Sequence, residues 1–306
     1  MNYQKDNTWR SIQSFLPVEN RLTEYNVPHE FIVEFDNIKI HIDYYKAENP
    51  KATVILFHGV GGNGRLLSFI AVPLCKMGYE VICPDLPFYG YTEYTGRVSY
   101  MTWVDYGVKI VEHFKKSNIP LFLFGLSAGG MLAYQIACNY DGINGVLVTC
   151  LLDQRIPTVT KNTASNPLVA SLGKFFLKLF YKPFYNLKIQ MKHVCNMSAI
   201  VNNETLAHLL MRDKKSSGVK VTLEFLYTML NPRIEIEANQ FNKCPFLLVH
   251  PENDKWTDVS LSRLFFDQLS CEKELKILNG AGHFPIEPEG LKQLEQYCLE
   301  FLSKYR

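Results

Sequence analysis

Hydrophobic and polar positions along the chain fall into two regimes. Residues 30–35 (EFIVEF) and 38–45 (IKIHIDYY) alternate on either side of the dipeptide Asp36-Asn37. A period of two around a turn dipeptide predicts an antiparallel hairpin at a sheet edge. From residue 52 the alternation gives way to continuous apolar runs at 52–59, 80–86, 120–125, 145–150, 245–251 and 274–278. Helix-like segments lie between them, near 65–77, 102–116, 128–140, 257–270 and 289–303. Buried strands separated by amphipathic helices predict an α/β fold, a mostly parallel central sheet with helices on both faces. Residues 1–29 are polar and irregular, and are expected to form an arm on the surface.

One connection breaks this rhythm. More than ninety residues separate Cys150 from Pro245, far more than a crossover requires. The expected organisation is a core of residues 30–151 and 242–306, interrupted by a helical cap at 152–241. Helical stretches are predicted within the cap at 166–189 and around 202–213 and 219–230. In the first of them Leu168, Val169, Leu172, Phe175, Phe176, Leu179 and Phe180 share a broad apolar face, with Lys174 and Lys178 on another. Apolar helical periodicity ordinarily means burial, so packing on the core is the plainer expectation for this face.

Composition narrows the possible classes. A chain of 306 residues with 47% hydrophobic and 20% charged positions has the make-up of a globular protein with an ample core. The net charge of +2 comes with no dense Lys/Arg block, which argues against nucleic acid as a partner. The eight cysteines are scattered, without a C-x-x-C pair. They read as buried thiols rather than a disulfide framework or a zinc site. The opening MNYQKDNTWRSIQS lacks the charged-then-apolar build of a secretory signal, and no run of about 18 apolar residues is present to span a bilayer. A cytoplasmic protein is expected.

The chemistry gathers at strand ends. The run Leu121–Phe124 breaks at Gly125 into G-L-S-A-G and then opens a helical pattern. This is G-x-S-x-G in the strand–turn–helix context that exposes a serine hydroxyl above a sheet, so Ser127 is the candidate nucleophile. After the strand at 53–57 comes HGVGGNG (58–64). That loop lacks the lysine of a phosphate-binding G-x-x-x-x-G-K-[ST], and a nucleotide-binding reading fits it poorly. Its other use is to bring backbone amides to a developing oxyanion, with Val60 and Ala128 as the candidate donors. His58 is expected to brace the loop. The strand at 245–251 runs into ENDKWTD, where Asp254 best suits an acid partner and Thr257 or Asp258 suits a helix cap. The strand at 274–278 runs into NGAGHFP, which presents His283 as the base. His29, His41, His113, His193 and His208 have no comparable setting, and His250 lies in the acid loop.

Taken together, HGVGG, PDLPFYG (84–90), GLSAGG, ENDKWTD and GAGHFP resemble the α/β-hydrolase superfamily over about residues 30–304. Within it the chain is similar to capped monoacylglycerol lipase-like and serine aminopeptidase-like esterases. The order Ser127, Asp254, His283 is that of this superfamily. PDLPFYG departs from the usual D-x-x-G-x-G spacing, and Asp85 is given only a bracing role. The acid loop begins P-E-N where the family commonly has G-x-x. The resemblance implies a serine esterase acting on small, lipid-like esters, with no metal or organic cofactor. Thioesterase, lactonase or acyltransferase chemistry would use the same residues, and a non-catalytic ligand-binding protein on the same scaffold is the alternative of another class. Under the esterase reading the cap face becomes an acyl-chain lining, with Phe176 touching substrate, or a transient dock on a membrane surface.

Overall fold

The computed structural model describes residues 2–306 and turns both regimes of the chain into one mixed sheet. The alternating segments form the hairpin β1 (His29–Phe35) and β2 (Ile38–Tyr45), paired antiparallel around Asp36. The apolar runs that follow are β3 (Thr53–Phe57) and β4 (Glu80–Pro84), then β6 (Leu121–Gly125) and β7 (Gly145–Val148) beyond a two-residue β5 (Glu93–Tyr94) beside β2. Every residue of β3, β4, β6 and β7 is buried, which is why their sequences carry no alternation. The helices of this half are α2 (Ser68–Lys76), α3 (Tyr100–Phe114) and α4 (Ala128–Asn139).

The long connection after β7 contains α5 (Pro157–Thr163), α6 (Pro167–Phe180), α7 (Glu204–Arg212) and α8 (Leu223–Leu230). It is not wholly helical. β8 (Lys188–Gln190) and β9 (Lys220–Thr222) pair antiparallel, with Ile189 opposite Val221, so two spans expected to be helix end or begin as strand. β-branched residues flanked by polar ones favour that pairing over a helical turn. α6 starts where Asn166 caps it and Pro167 opens it, but its apolar face is not packed on the core as expected. Leu168, Phe175 and Leu179 are 66%, 64% and 59% exposed, and Leu177 on another side of the helix is buried.

The chain then returns as β10 (Phe246–Pro251), α9 (Val259–Phe266), β11 (Lys273–Leu278) and α10 (Pro288–Tyr305). The strand order is β1-β2-β4-β3-β6-β7-β10-β11, parallel from β4 onward. The loops leaving β3, β6, β10 and β11 therefore meet along one edge of the sheet. All eight cysteines are free, and seven are buried. No helix of the described residues is long and apolar enough to cross a membrane.

The first residues are less irregular than expected. Asp6 caps α1 (Asn7–Gln13), and Tyr3, Trp9, Ile12 and Leu16 are buried. Tyr3 reaches a charge cluster inside the fold. Its hydroxyl donates to Asp85 Oδ2 at 2.9 Å, Arg65 Nε donates to Asp43 at 2.5 Å, and a second Arg65 nitrogen lies 2.9 Å from Glu30. His41 donates from Nε2 to Glu30 and faces Asp85 with Nδ1, both at 3.1 Å. Burial alone would lower the His41 pKa, but these carboxylates outweigh it and raise it from 6.5 to about 10. Asp85 also accepts the Gly64 amide at 2.7 Å, so the cluster fixes the end of the 58–64 loop.

Replacing Arg65 with Met would leave two carboxylates buried without their cation. The expected loss in urea unfolding is about 3–5 kcal/mol. The contribution of His41 has a raised folded pKa, so it is complete below pH 6.5 and fades as pH rises toward about 10. Unfolding midpoints measured across that window are expected to fall with pH, and to fall less steeply in His41→Gln.

Candidate active site

The turn at Ser127 concentrates strain. β6 ends at Gly125 and α4 begins at Ala128, leaving two residues to reverse the chain. Ser127 adopts φ 56° and ψ −125°, a conformation that costs a non-glycine residue about 1–3 kcal/mol. Its surroundings hold it there. The Ser127 amide donates to Thr149 Oγ1, and the Leu126 amide donates to Phe57 O, both at 3.0 Å. Two glycines permit the approach. A Cβ on Gly125 would strike the Gly129 backbone, and one on Gly59 would lie 2.8 Å from Ser127 Cβ.

His283 arrives from the loop after β11, and Asp254 from the loop after β10. Ser127 Oγ lies 2.7 Å from His283 Nε2, and His283 Nδ1 lies 2.8 Å from Asp254 Oδ2. A carboxylate can only accept, so Nδ1 carries the proton and Nε2 is free to accept from the serine hydroxyl. Asp254 also accepts the Trp256 and Thr257 amides at 2.8 and 2.9 Å and the Thr257 hydroxyl at 2.8 Å. Burial pushes its pKa up, but the charge of His283 and these hydrogen bonds outweigh burial and hold the carboxyl below its ordinary value. The acid and base loops are joined directly, the Asn253 amide donating to Ala281 O at 2.8 Å.

The remaining residues singled out in the sequence take other places. Asp258 caps α9 by accepting the Ser260 amide at 2.9 Å. Thr257 does not share that task; its hydroxyl serves Asp254 and lies 3.3 Å from His283 Nδ1. His250 donates from Nε2 to Thr257 O at 3.0 Å and so braces the acid loop. His58 donates from Nδ1 to Gly59 O at 2.8 Å and accepts the Leu86 amide on Nε2 at 2.9 Å. That pattern needs a neutral ring, and burial lowers its pKa to about 4. The amides of Val60 and Ala128 donate no hydrogen bond among the described residues, and both residues line a cavity of about 60 Å³ over Ser127.

Phe176 is elsewhere. It lines a larger apolar cavity of about 440 Å³ within the inserted segment, with Leu177, Phe180 and Leu226. The two cavities share Thr163 and Cys195. Trp256 is a contact the sequence did not disclose. Its ring lies 4.8 Å from that of His283, and its Nε1 donates to Thr163 O at 3.2 Å. Among the described residues, Glu30, His41 and Asp43 are the one cluster of metal-ligand type. Arg65 already lies among their oxygens, so that cluster holds its cation in the form of a guanidinium.

Comparison with known proteins agrees with this arrangement of strands and loops. The Hydrolase_4 family model (serine aminopeptidase, S33) matches residues 48–287. The monoglyceride lipase of Saccharomyces cerevisiae is 24% identical over 281 residues, covering 84% of this chain and 86% of the relative. Phospholipase YtpA of Bacillus subtilis is 23% identical over 239 residues, covering 75% of this chain and 86% of the relative. Among solved structures, a soluble variant of the Saccharomyces cerevisiae monoglyceride lipase superposes with TM-score 0.74 at 19% identity, covering 95% of this chain and 98% of that one. The Paleococcus ferrophilus monoacylglycerol lipase gives 0.68 at 20% identity, covering 87% and 99%. These likenesses establish an α/β-hydrolase fold.

Ser127→Gly and Ser127→Ala both delete the hydroxyl, but only glycine relaxes the backbone. The glycine variant is expected to be the more stable by about 1 kcal/mol in urea unfolding. Equal stabilities would show that the turn stores no strain.

Proposed function

The chain belongs to the serine aminopeptidase S33 family of α/β-hydrolases, and from that premise we propose that it hydrolyses carboxylic esters of acyl or lipid-like type through an acyl-enzyme on Ser127. The observation that carries this reading is the unbroken run of hydrogen bonds from Ser127 through His283 to Asp254. His283 Nε2 takes the serine proton as Oγ attacks the ester carbonyl, and Asp254 holds the tautomer and balances the imidazolium. The amides of Val60 and Ala128 receive the oxyanion; loss of one such donor costs about 3–4 kcal/mol of transition-state stabilisation. His283 then protonates the departing alcohol and activates the water that releases the acid. Two relatives aligned over most of the chain carry lipase and phospholipase names, which supports an ester substrate.

Residues 152–241 act as a cap over this site. The cavity of about 440 Å³ inside the segment suits an acyl chain, because apolar side chains line it and it adjoins the Ser127 cavity at Thr163 and Cys195. The exposed face of α6, with Leu168, Phe175 and Leu179 beside the exposed Lys178 and Lys182, suits transient contact with a lipid surface. Free thiols throughout fit the reducing cytoplasm.

Hydrolysis of p-nitrophenyl esters from acetate to palmitate tests the reading. Wild type is expected to cleave them, and Ser127→Ala and His283→Ala to lose nearly all turnover. Asp254→Asn is expected to lose about 10⁴-fold, while Asp258→Asn stays near wild type. Phe176→Ala is expected to shift chain-length preference more than acetate turnover; equal losses along the series would assign it to packing alone. A protein inert to every ester and to a fluorophosphonate probe would overturn the serine-hydrolase reading. Turnover confined to thioesters or lactones would reassign the leaving group.

A further inference from the structure

A base that takes the Ser127 proton becomes a cation, and His283 would do so while only 3% exposed. Water reaches such a ring poorly, and a buried charge without compensation is costly. Among the described residues, Asp254 is the one carboxylate within hydrogen-bond reach of the ring. It is shared. Its oxygens also accept the Trp256 and Thr257 amides and the Thr257 hydroxyl, each of which draws on the same negative charge. The other titratable groups nearby are neutral. Burial lowers the pKa of His250, at the end of β10, and raises that of the Cys150 thiol beside Ser127 and Thr257.

Trp256 stands where a second stabiliser would act. Its ring centroid lies 4.8 Å from that of His283, with the two planes inclined at 48°. That is inside the distance of about 6 Å at which an indole attracts a cation through its electron-rich face. The attraction discriminates between protonation states. A neutral imidazole gains little from it and an imidazolium much more, so it strengthens as the transition state forms. Two hydrogen bonds fix the indole. The Trp256 amide donates to Asp254 Oδ1 at 2.8 Å, and Nε1 donates to Thr163 O at 3.2 Å. Thr163 closes α5, and its carbonyl also accepts the Asn196 amide at 3.3 Å. The residue is thus pinned at its backbone to the acid loop and at its ring to the inserted segment, and it lines the Ser127 cavity.

We propose that Trp256 is a positioning residue whose indole stabilises the His283 imidazolium during acyl transfer, and that the inserted segment holds it against the base. The inference rests on the serine-hydrolase reading and adds a fourth side chain to the run of Ser127, His283 and Asp254. Because Nε1 is seated on Thr163, the inserted segment takes part in proton transfer as well as covering the site.

Hydrolysis of p-nitrophenyl butyrate measured against pH tests this. In Trp256→Leu the plateau of kcat/KM is expected to fall about 2- to 30-fold, the range that a cation–π contact commands. Without the indole the protonated base is less favoured, so the acid limb of the profile is expected to move to lower pH by the logarithm of that factor, about 0.3–1.5 pH units. Trp256→Phe keeps an aromatic face and is expected to recover most of both effects. Fluorinated tryptophans placed at position 256 alone keep the shape and the Nε1–H but withdraw electron density from the face. With them the limb is expected to step to lower pH as fluorines are added, and they decide the question should the leucine variant not fold. Turnover that falls while the limb stays fixed, or a limb indifferent to fluorination, assigns Trp256 to packing and overturns the proposal. A wild type inert to the ester and to a fluorophosphonate probe overturns the hydrolase reading and this inference with it; an active wild type whose limb ignores position 256 overturns this inference alone.

Discussion

The backbone of Ser127 cannot be separated from the sheet around it. A serine at φ 56° persists only if its neighbours hold the turn more strongly than the strain relaxes it. Thr149, at the end of β7, takes the Ser127 amide, and Phe57, at the end of β3, takes the Leu126 amide. The strands on either side of β6 thus each grip one residue of the turn, and the glycines at 59 and 125 let them close to contact distance. Glycine at both positions is a steric condition of the turn, since a Cβ at either would collide with the backbone or with Ser127.

A second set of contacts holds the loop that faces this turn. Gly64 is tied to Asp85, whose carboxylate is shared by His41, Tyr3 and the Tyr91 amide. The inserted segment contributes as well. Ser217 donates to Gly61 O at 2.9 Å, and the Asn63 amide group donates to Lys215 O at 3.2 Å. Lys215 then pairs with Asp6 at 2.8 Å, which closes a circuit from the first residues through the insertion to the 58–64 loop. Val60 therefore points its amide from a loop fastened on three sides.

Much of this was legible in the amino-acid sequence, for physical reasons that also mark where legibility stops. Continuous apolar runs announced the parallel strands because both faces of the middle of that sheet are covered, and Asp254 and His283 stood out because each lies in the loop just after a predicted strand, β10 buried throughout and β11 half-buried up to Leu278. The charge cluster was illegible. Tyr3, Glu30, His41, Arg65 and Asp85 are brought together by the sheet and share no local spacing, so the sequence spread them over an arm, two strands, a helix and a loop, and gave only Asp85 a bracing role. Thr257 read as a helix cap since a threonine before a helix commonly caps it by accepting a backbone amide, whereas here its hydroxyl donates to Asp254 and Asp258 does the capping. The face of α6 misled for a different reason. Periodicity reports that a helix has an apolar side, but not whether protein lies against it.

The unpaired thiols have a consequence for handling the protein. Seven of the eight are buried, and burial raises the pKa of Cys83, Cys150, Cys195 and Cys298, so in the folded state they are slow to become thiolate and slow to oxidise. Unfolding removes that protection from all of them at once. A chain opened by heat or denaturant in air presents eight sulfurs free to cross-link in combinations the native fold never contains. Its unfolding is reversible only while a reductant is present, and without one the apparent melting temperature becomes a measure of oxidation rate.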